Sequence, residues 1–525
     1  MKTYSKILLS LFLLSFSVVG MGQGFTNPIL PGFYPDPSVC RVGDDYYIVN
    51  SSFQYFPSVP IHHSKDLINW ENIGYVLDRP SQVKLEKIGF WNGIYAPSIR
   101  YHDGLFYMVT TNTSDKGNLY VYTDNPAGDW SDPVWVDMGG IDPDIFFDED
   151  GKTYFITAMG GIHICEVDIS TGQRLTETQK IWDGTGARHT EAPHIYKKDG
   201  YYYLLVAEGG TEYGHKATIA RSRSITGPYD SNPANPILTH INQNGAFNPI
   251  QGVGHADFIQ AHDGSWWTVF LGFRPQSHTH HLLGRETFLA PVRWDNDAWP
   301  VVNDNGTVAL SMTCTTLPQV KTLQKPAKDD FNESALGYEW NYLCNPNCDN
   351  YSLTAKKGTL RLKASTVRID ETDSPTFVGR RQQHINFRAT TALDFSNLKE
   401  NSEAGLTTYM ASNYRYDLSV KQTDDKTVLS LSYYIGSLRH IEKEIILSGK
   451  RVYLRVDGRN DMYSYSYSTD NKTFQKLGDI DTRFISTETA GGFTGVYIGL
   501  FAQSETLNNS FADFDWFEYI PVFEN

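Results

Sequence analysis

Cysteine is scarce. Five cysteines in 525 residues cannot staple a chain of this size, which excludes a disulfide scaffold, and they show no zinc spacing. Cys40, Cys165 and Cys314 fall in or beside strand-like runs and read as small buried side chains. Cys344 and Cys348 lie close enough for a local disulfide, with two free thiols as the alternative. Positive charge is in deficit: 45 Lys and Arg against 60 Asp and Glu give a net charge of −15. That balance excludes a polyanion such as nucleic acid as the main partner. Long hydrophobic runs are absent after the first, LLSLFLLSFSVVG, which follows Lys2 and Lys6 and precedes small residues. It reads as a secretory signal over residues 1–22, with no cysteine to carry a lipid and no later segment able to span a bilayer. The expected location is extracytoplasmic, and periplasmic in a Gram-negative source. No long helical period occurs before residue 310.

What is abundant is a repeated phrase. DPSVCRVGDDYYIVNSS from Asp36, APSIRYHDGLFYMVTTN from Ala96, DPDIFFDEDGKTYFITAMG from Asp142, APHIYKKDGYYYLLVAEGG from Ala192 and HADFIQAHDGSWWTVFLGF from His255 share one grammar. Each runs from a short polar or small unit through an alternating strand and a turn containing Asp-Gly or its near equivalent to an aromatic strand. Asp-Gly between alternating runs is a strong hairpin signal. The phrases start 46 to 63 residues apart, near the size of a four-stranded propeller blade with variable loops. One hairpin cannot cover both its faces, so burial between blades must supply the energy. The reading is all-β: a five-bladed propeller over residues 25–310.

A change follows. SMTCTTLPQVKTLQKPAKDD leaves the repeat and reads as a connector over 311–328. From 329 to 525 the alternating runs continue without the blade phrase, among them TVLSLSYYIG, RVYLRVDGR and FADFDWFEYI. They predict an antiparallel β-sandwich.

A propeller gathers equivalent positions around one axis. Asp36, Asp142 and His255 occupy the same place in their phrases, and Glu191 stands one residue before it in the fourth. Proline after Asp36 and Asp142 limits backbone freedom there. Acids distant in sequence can therefore share a pocket, although strand-capping roles would use the same residue types. Glycoside hydrolysis needs a proton for the departing oxygen and an activated nucleophile for the anomeric carbon. Asp36 is the candidate base, Glu191 the candidate acid, and Asp142 the carboxylate whose charge raises and orients Glu191. Phe33 and Trp91 are candidate sugar walls, with interblade packing as the alternative. Arg285 is a candidate substrate clamp or the partner of a nearby acid. His255 is a candidate metal or water ligand, or a satisfied core histidine.

Together, NPILPGFYPDPSVCRVGDDYYIVNSSF, WNGIYAPSIRYHDGLFYMVTT, GIDPDIFFDEDGKTYF, TEAPHIYKKDGYYYLLVAEGGT and LLGRET resemble glycoside hydrolase family 43, especially its β-xylosidase and α-L-arabinofuranosidase members. The resemblance implies a five-bladed propeller and inverting hydrolysis. It carries the base role onto Asp36, the tuning role onto Asp142, the acid role onto Glu191 and substrate contact onto Arg285. It matches His255 to a channel histidine associated in some members with calcium or water. Asp144 departs from the small hydroxyl residue common there, which leaves room for a local ion or hydrogen-bond difference. The C-terminal sandwich looks like the companion that closes one side of the pocket. Its acidic ends, near Glu333 and Asp515, admit a structural calcium or ordinary salt bridges. The bond chemistry requires no cofactor. The expected activity is inverting, exo-acting release of non-reducing terminal α-L-arabinofuranosyl units from hemicellulose-derived oligosaccharides, with β-D-xylosidase activity as an accompaniment. The alternatives are a β-1,4-xylosidase acting on xylo-oligosaccharides and a non-catalytic carbohydrate-binding protein.

Overall fold

The computed structural model describes residues 23–243, 247–314, 316–318, 320, 326–424 and 426–523. The expected signal segment lies outside them. Five antiparallel sheets form the blades, and their innermost strands are Ser38–Val42, Ser98–His102, Ile141–Phe147, Glu191–Lys198 and Gln251–Gln260. In blades two and four the first hairpin closes through two residues, Asp103-Gly104 and Asp199-Gly200. All four have positive φ (47°, 86°, 51° and 71°), as a type I′ turn requires, so the turn twists with the strands it joins. The aromatic strands that follow fill the spaces between blades: Tyr47 meets Phe106 edge-on at 4.9 Å, from blade one to blade two. Phe146 of blade three likewise meets Tyr202 of blade four at 6.1 Å.

The ring closes through the chain ends of the propeller. Gln23–Thr26 pairs antiparallel with Ser311–Cys314, so the first part of the expected connector is a strand. Asn27 fastens the entering segment by donating to the Leu289 carbonyl and accepting from the Leu289 amide, both at 2.9 Å. Asn50 of blade one then donates to Thr287 of blade five at 3.0 Å.

The second half is a sandwich of two eight-stranded antiparallel sheets. Leu406, Leu418 and Leu429 of one sheet and Leu362, Leu454 and Phe514 of the other share a single buried core. One sheet gains its edge strand from the propeller, because Tyr55–Phe56 pairs with Asn341–Leu343. Tyr55 also stacks on Tyr497 with centroids 3.9 Å apart, and Arg381 donates to the Phe33 carbonyl at 2.7 Å. The two domains therefore share a sheet and a buried seam. Among the described residues no helix is long and apolar enough to cross a membrane.

Candidate active site

The innermost strands carry a repeated distortion. Asp36, Asp142, Ala192 and His255 have φ of 51°, 52°, 53° and 50°, a left-handed conformation uncommon for residues with a Cβ. In blades three, four and five the pairing with the next strand breaks at this point, between Ile141 and Asp144, Glu191 and His194, and Gly254 and Asp257. Such bulges bend a strand and re-aim a side chain, and strain of this kind collects at functional sites. The left-handed residue of blade four is Ala192, so Glu191 stands one place earlier than its counterparts, as in the sequence.

Asp36, Asp142, Glu191, His255 and Arg285 all line one cavity of about 70 Å³. Asp36 is buried and accepts from Arg285 on Oδ1 and from Ser51 on Oδ2, each at 2.5 Å. Arg285 also donates to Thr211 Oγ1 at 3.1 Å and to the Phe493 carbonyl at 3.3 Å. Its guanidinium lies 5.6 Å from both the Phe53 and Phe493 ring centroids. The neighbouring Glu286 is taken by Arg274 at 2.7 Å, so the pairing of Arg285 is with a channel acid.

The electrostatics set the protonation. Burial, then the Asp36 charge, pushes the Glu191 carboxyl up to about 7 against the pull of Arg285. Burial, Glu191 and Asp36 push Asp142 well above the usual carboxylate range. Two carboxyls so placed hold at least one proton between them near neutrality. Burial lowers His255 to about 3, so its imidazole is neutral 3.6 Å from Asp36. His215, another wall residue, is held at about 4, mainly by burial.

Five wall residues carry no signal in the repeated phrase: Phe53, Tyr95, Thr211, His215 and Phe493. Phe493 comes from the sandwich. Its loop reaches the propeller because residue 495 is glycine: a Cβ there would lie 2.5 Å from the Leu283 carbonyl oxygen. Two expected walls are corrected. Phe33 is fully buried behind Phe53, at 6.0 Å between centroids, where the domain seam packs it against Tyr55 and Tyr497. Trp91 stands outside the cavity, 46% exposed, with its ring edge-on to Phe493 at 5.2 Å. It braces the wall and does not form it.

Beneath the pocket lies a feature absent from the sequence expectations. Ser38, Asp144, His194 and Asp257 each stand two residues after the left-handed position, and the Arg100 side chain enters this ring from blade two. Its guanidinium donates to Asp144 at 2.7 Å, Asp257 at 2.9 Å, His194 at 2.8 Å and Ser38 at 3.3 Å. One cation thus ties all five innermost strands, and Asp144 serves as its hydrogen-bonded partner. Asp144 and Asp257 are therefore both paired with Arg100. Glu333 is exposed and Asp515 pairs with Arg451 at 2.7 Å. Among the described residues no three His, Cys, Asp or Glu side chains converge to hold a metal. Cys344 is buried and Cys348 exposed, both as free thiols.

Comparison with known proteins places this geometry. Residues 328–520 match the β-xylosidase C-terminal concanavalin A-like domain. The chain is 41% identical to the non-reducing end α-L-arabinofuranosidase BoGH43B of Bacteroides ovatus, over 99% of both chains. It is 38% identical to a xylosidase/arabinosidase of Butyrivibrio fibrisolvens, over 94% of this chain and 98% of that one. The solved structure of a Bacteroides ovatus xyloglucan GH43B protein superposes with a TM-score of 0.92 at 40% identity, covering 95% of this chain and all of the other. A xylan β-1,4-xylosidase from Bacillus halodurans gives a TM-score of 0.90 at 34% identity, over 94% and 100%. Residues 25–300, which hold Asp36, Asp142, Glu191, His255 and Arg285, match glycosyl hydrolases family 43, and the chain belongs to that family.

Proposed function

We propose that the protein is an inverting exo-glycosidase that releases non-reducing terminal α-L-arabinofuranosyl units from hemicellulose oligosaccharides outside the cytoplasm. The observation that carries this reading is the meeting of Asp36, Asp142 and Glu191 in one narrow cavity closed on one side by Phe493. A cavity of about 70 Å³ favours a single terminal ring over an internal stretch of chain. Asp36, held by Arg285 and Ser51, draws a proton from water as that water attacks the anomeric carbon. Glu191 delivers its proton to the departing oxygen. Asp142, its own carboxyl raised by burial, Glu191 and Asp36, shares with Glu191 the proton the pair retains and takes none from the substrate.

The relatives carry both arabinofuranosidase and xylosidase names, so a β-D-xylosidase activity, including on β-1,4-linked xylo-oligosaccharides, is the second reading. The test is a panel of 4-nitrophenyl α-L-arabinofuranoside, the β-D-xyloside, and branched xylan, arabinan and xyloglucan oligosaccharides. Released sugar and its first anomeric form are followed by proton NMR. Terminal arabinose appearing first as the inverted anomer is expected. Retained configuration, or cleavage confined to internal main-chain bonds, overturns the reading.

The pH profile tests the acid independently. An acid must be protonated to act, so raising pH through about 7 is expected to remove activity as the Glu191 carboxyl ionises. In kcat/KM this gives a falling limb near 7 that belongs to the coupled pair. Glu191→Gln should abolish that limb. A limb that persists unchanged in the variant would assign it to another group.

A further inference from the structure

A separate cavity, of about 380 Å³, opens on the outer flank of the propeller and shares no residue with the catalytic one. Ile73, Gly74 and Tyr75 bring to it the outermost strand of blade one, Glu71–Leu77. The loop 126–129 comes from blade two, and Tyr338 from the opening segment of the sandwich. We propose that this cavity is a non-catalytic binding site for a neutral, β-linked pyranose chain, with Tyr338 as the platform beneath a ring and Asp78 and Asp129 as acceptors of its hydroxyls.

The charge on the walls selects the class of ligand. No Lys, Arg or His side chain lines the cavity, whereas two carboxylates do. An anionic ligand is therefore repelled. One that offers hydroxyl donors is matched, because an ionised carboxylate only accepts. Asp129 accepts from Thr123 through its backbone carbonyl at 2.9 Å and has no partner for its carboxylate among the described residues. Arg79 stands 3.7 Å from Asp78 Oδ1, beyond a hydrogen bond, so this carboxylate too keeps acceptor capacity. Burial raises the Asp78 carboxyl; Arg79 opposes this and the Asp129 charge adds to it. Hydroxyl donors at these oxygens offset both costs.

Tyr338 supplies the apolar half. A β-linked pyranose shows flat C–H faces between hydroxyl edges, and an aromatic ring meets such a face while carboxylates meet the edge. The Tyr338 ring is 49% exposed and lies edge-on to Tyr75, with centroids 6.5 Å apart. It sits against Gly74, where a Cβ would come within 4.0 Å of its Cζ. Its backbone is held from the propeller: the Tyr75 hydroxyl donates to the Tyr338 carbonyl at 2.8 Å and accepts from Asn341 at 3.0 Å. The platform is thus in place before any ligand arrives, which lowers the ordering cost of binding. The volume falls in the range of small-ligand clefts, about 300–1,000 Å³, and the junction of two domains is where such clefts concentrate. A chain held here keeps the enzyme near further cleavable ends without touching the bond chemistry.

The experiment measures glycan binding to the full-length protein in an Asp36→Asn background, where turnover does not deplete the ligand. Xylohexaose and a xyloglucan heptasaccharide are titrated by isothermal calorimetry. Tyr338→Ala is expected to weaken one binding event by about 10-fold, and Asp129→Ala by about 5-fold, for the loss of an aromatic contact and of a hydrogen bond. Tyr338→Phe, which keeps the ring, should bind like its parent. In the otherwise wild-type enzyme the same variants should leave kcat/KM on 4-nitrophenyl α-L-arabinofuranoside unchanged. Thermal melts confirm folding, and Asp129 lies on an exposed loop, so its variant decides the matter if Tyr338→Ala unfolds. Glycan binding indifferent to these alanine variants, or no binding of either glycan, overturns the inference. A wild type inactive on every pentoside overturns the proposed function and leaves the binding result standing.

Discussion

Asp36→Asn is expected to lower kcat by about 10³- to 10⁴-fold with a much smaller change in substrate affinity, because the variant keeps the shape of the pocket and loses the base. Asp36 is already the acceptor of two short hydrogen bonds, from Arg285 and Ser51. An amide in its place must turn its NH₂ toward one of these donors, so the Arg285 contact weakens as well. The companion variant separates the two roles. Glu191→Gln should cost about 10²- to 10⁴-fold on oligosaccharides, whose alkoxide leaves only with a proton, and far less on 2,4-dinitrophenyl substrates, whose phenolate leaves without one. Steady-state kinetics over a series of aryl leaving groups checks this. A Glu191→Gln loss that is the same for every leaving group would remove Glu191 from the acid role, and unchanged turnover in Asp36→Asn would remove Asp36 from the base role.

Arg100→Met is expected to be the most damaging single change to stability. Asp144 and Asp257 are both buried and both accept from this guanidinium, at 2.7 and 2.9 Å. Removing one member of a buried charge cluster strands the others and costs about 3–5 kcal/mol, roughly a 6–15 °C fall in melting temperature for a domain of this size. The pH dependence gives the mechanism. Burial alone would raise Asp257, but Arg100, with His194, Tyr196 and Ser38, holds it well below the usual carboxylate range. A carboxyl lowered in the folded state contributes stability above its unfolded value and loses it as pH falls through the folded one. With Arg100 gone, burial is opposed only by His194, Tyr196 and Ser38 and the sign is expected to reverse: the carboxyl is raised and destabilises the fold most where it must ionise. The gap between wild type and variant should therefore narrow as pH is lowered from 7 toward 4. Melting curves across that range test it, and a gap that widens on acidification would show that the guanidinium does not serve as counter-charge.

These two sets of residues differ in how visible they are in one dimension. Asp36, Asp142 and Glu191 sit in a phrase that recurs with the blades, so their convergence follows from the repeat. Arg100 lies in the same kind of strand but at a place where no other phrase has a cation. Nothing local marks it, since its importance comes from Ser38, Asp144, His194 and Asp257 arriving from four other blades. Phe493 is further removed, on a loop of the second domain, and lines the pocket only because Gly495 admits a close approach to Leu283. Phe33 shows the opposite error. Its position beside PGFYPDPS suggested a sugar wall, yet the sandwich covers it completely.

Alternating side chains, Asp-Gly turns and the spacing of five phrases act over a few residues, and they alone determined the strands, the hairpins, the blade count and the ring of acids. Ring closure and the shared sheet between domains act between residues hundreds of positions apart. Only they decided which side chain would neutralise the channel and which aromatic of the second domain would line the pocket. The physical reason is the range of the forces involved: backbone geometry and turn chemistry are settled between neighbours, whereas burial, which raises Glu191 and hides Phe33, exists only when distant surfaces meet.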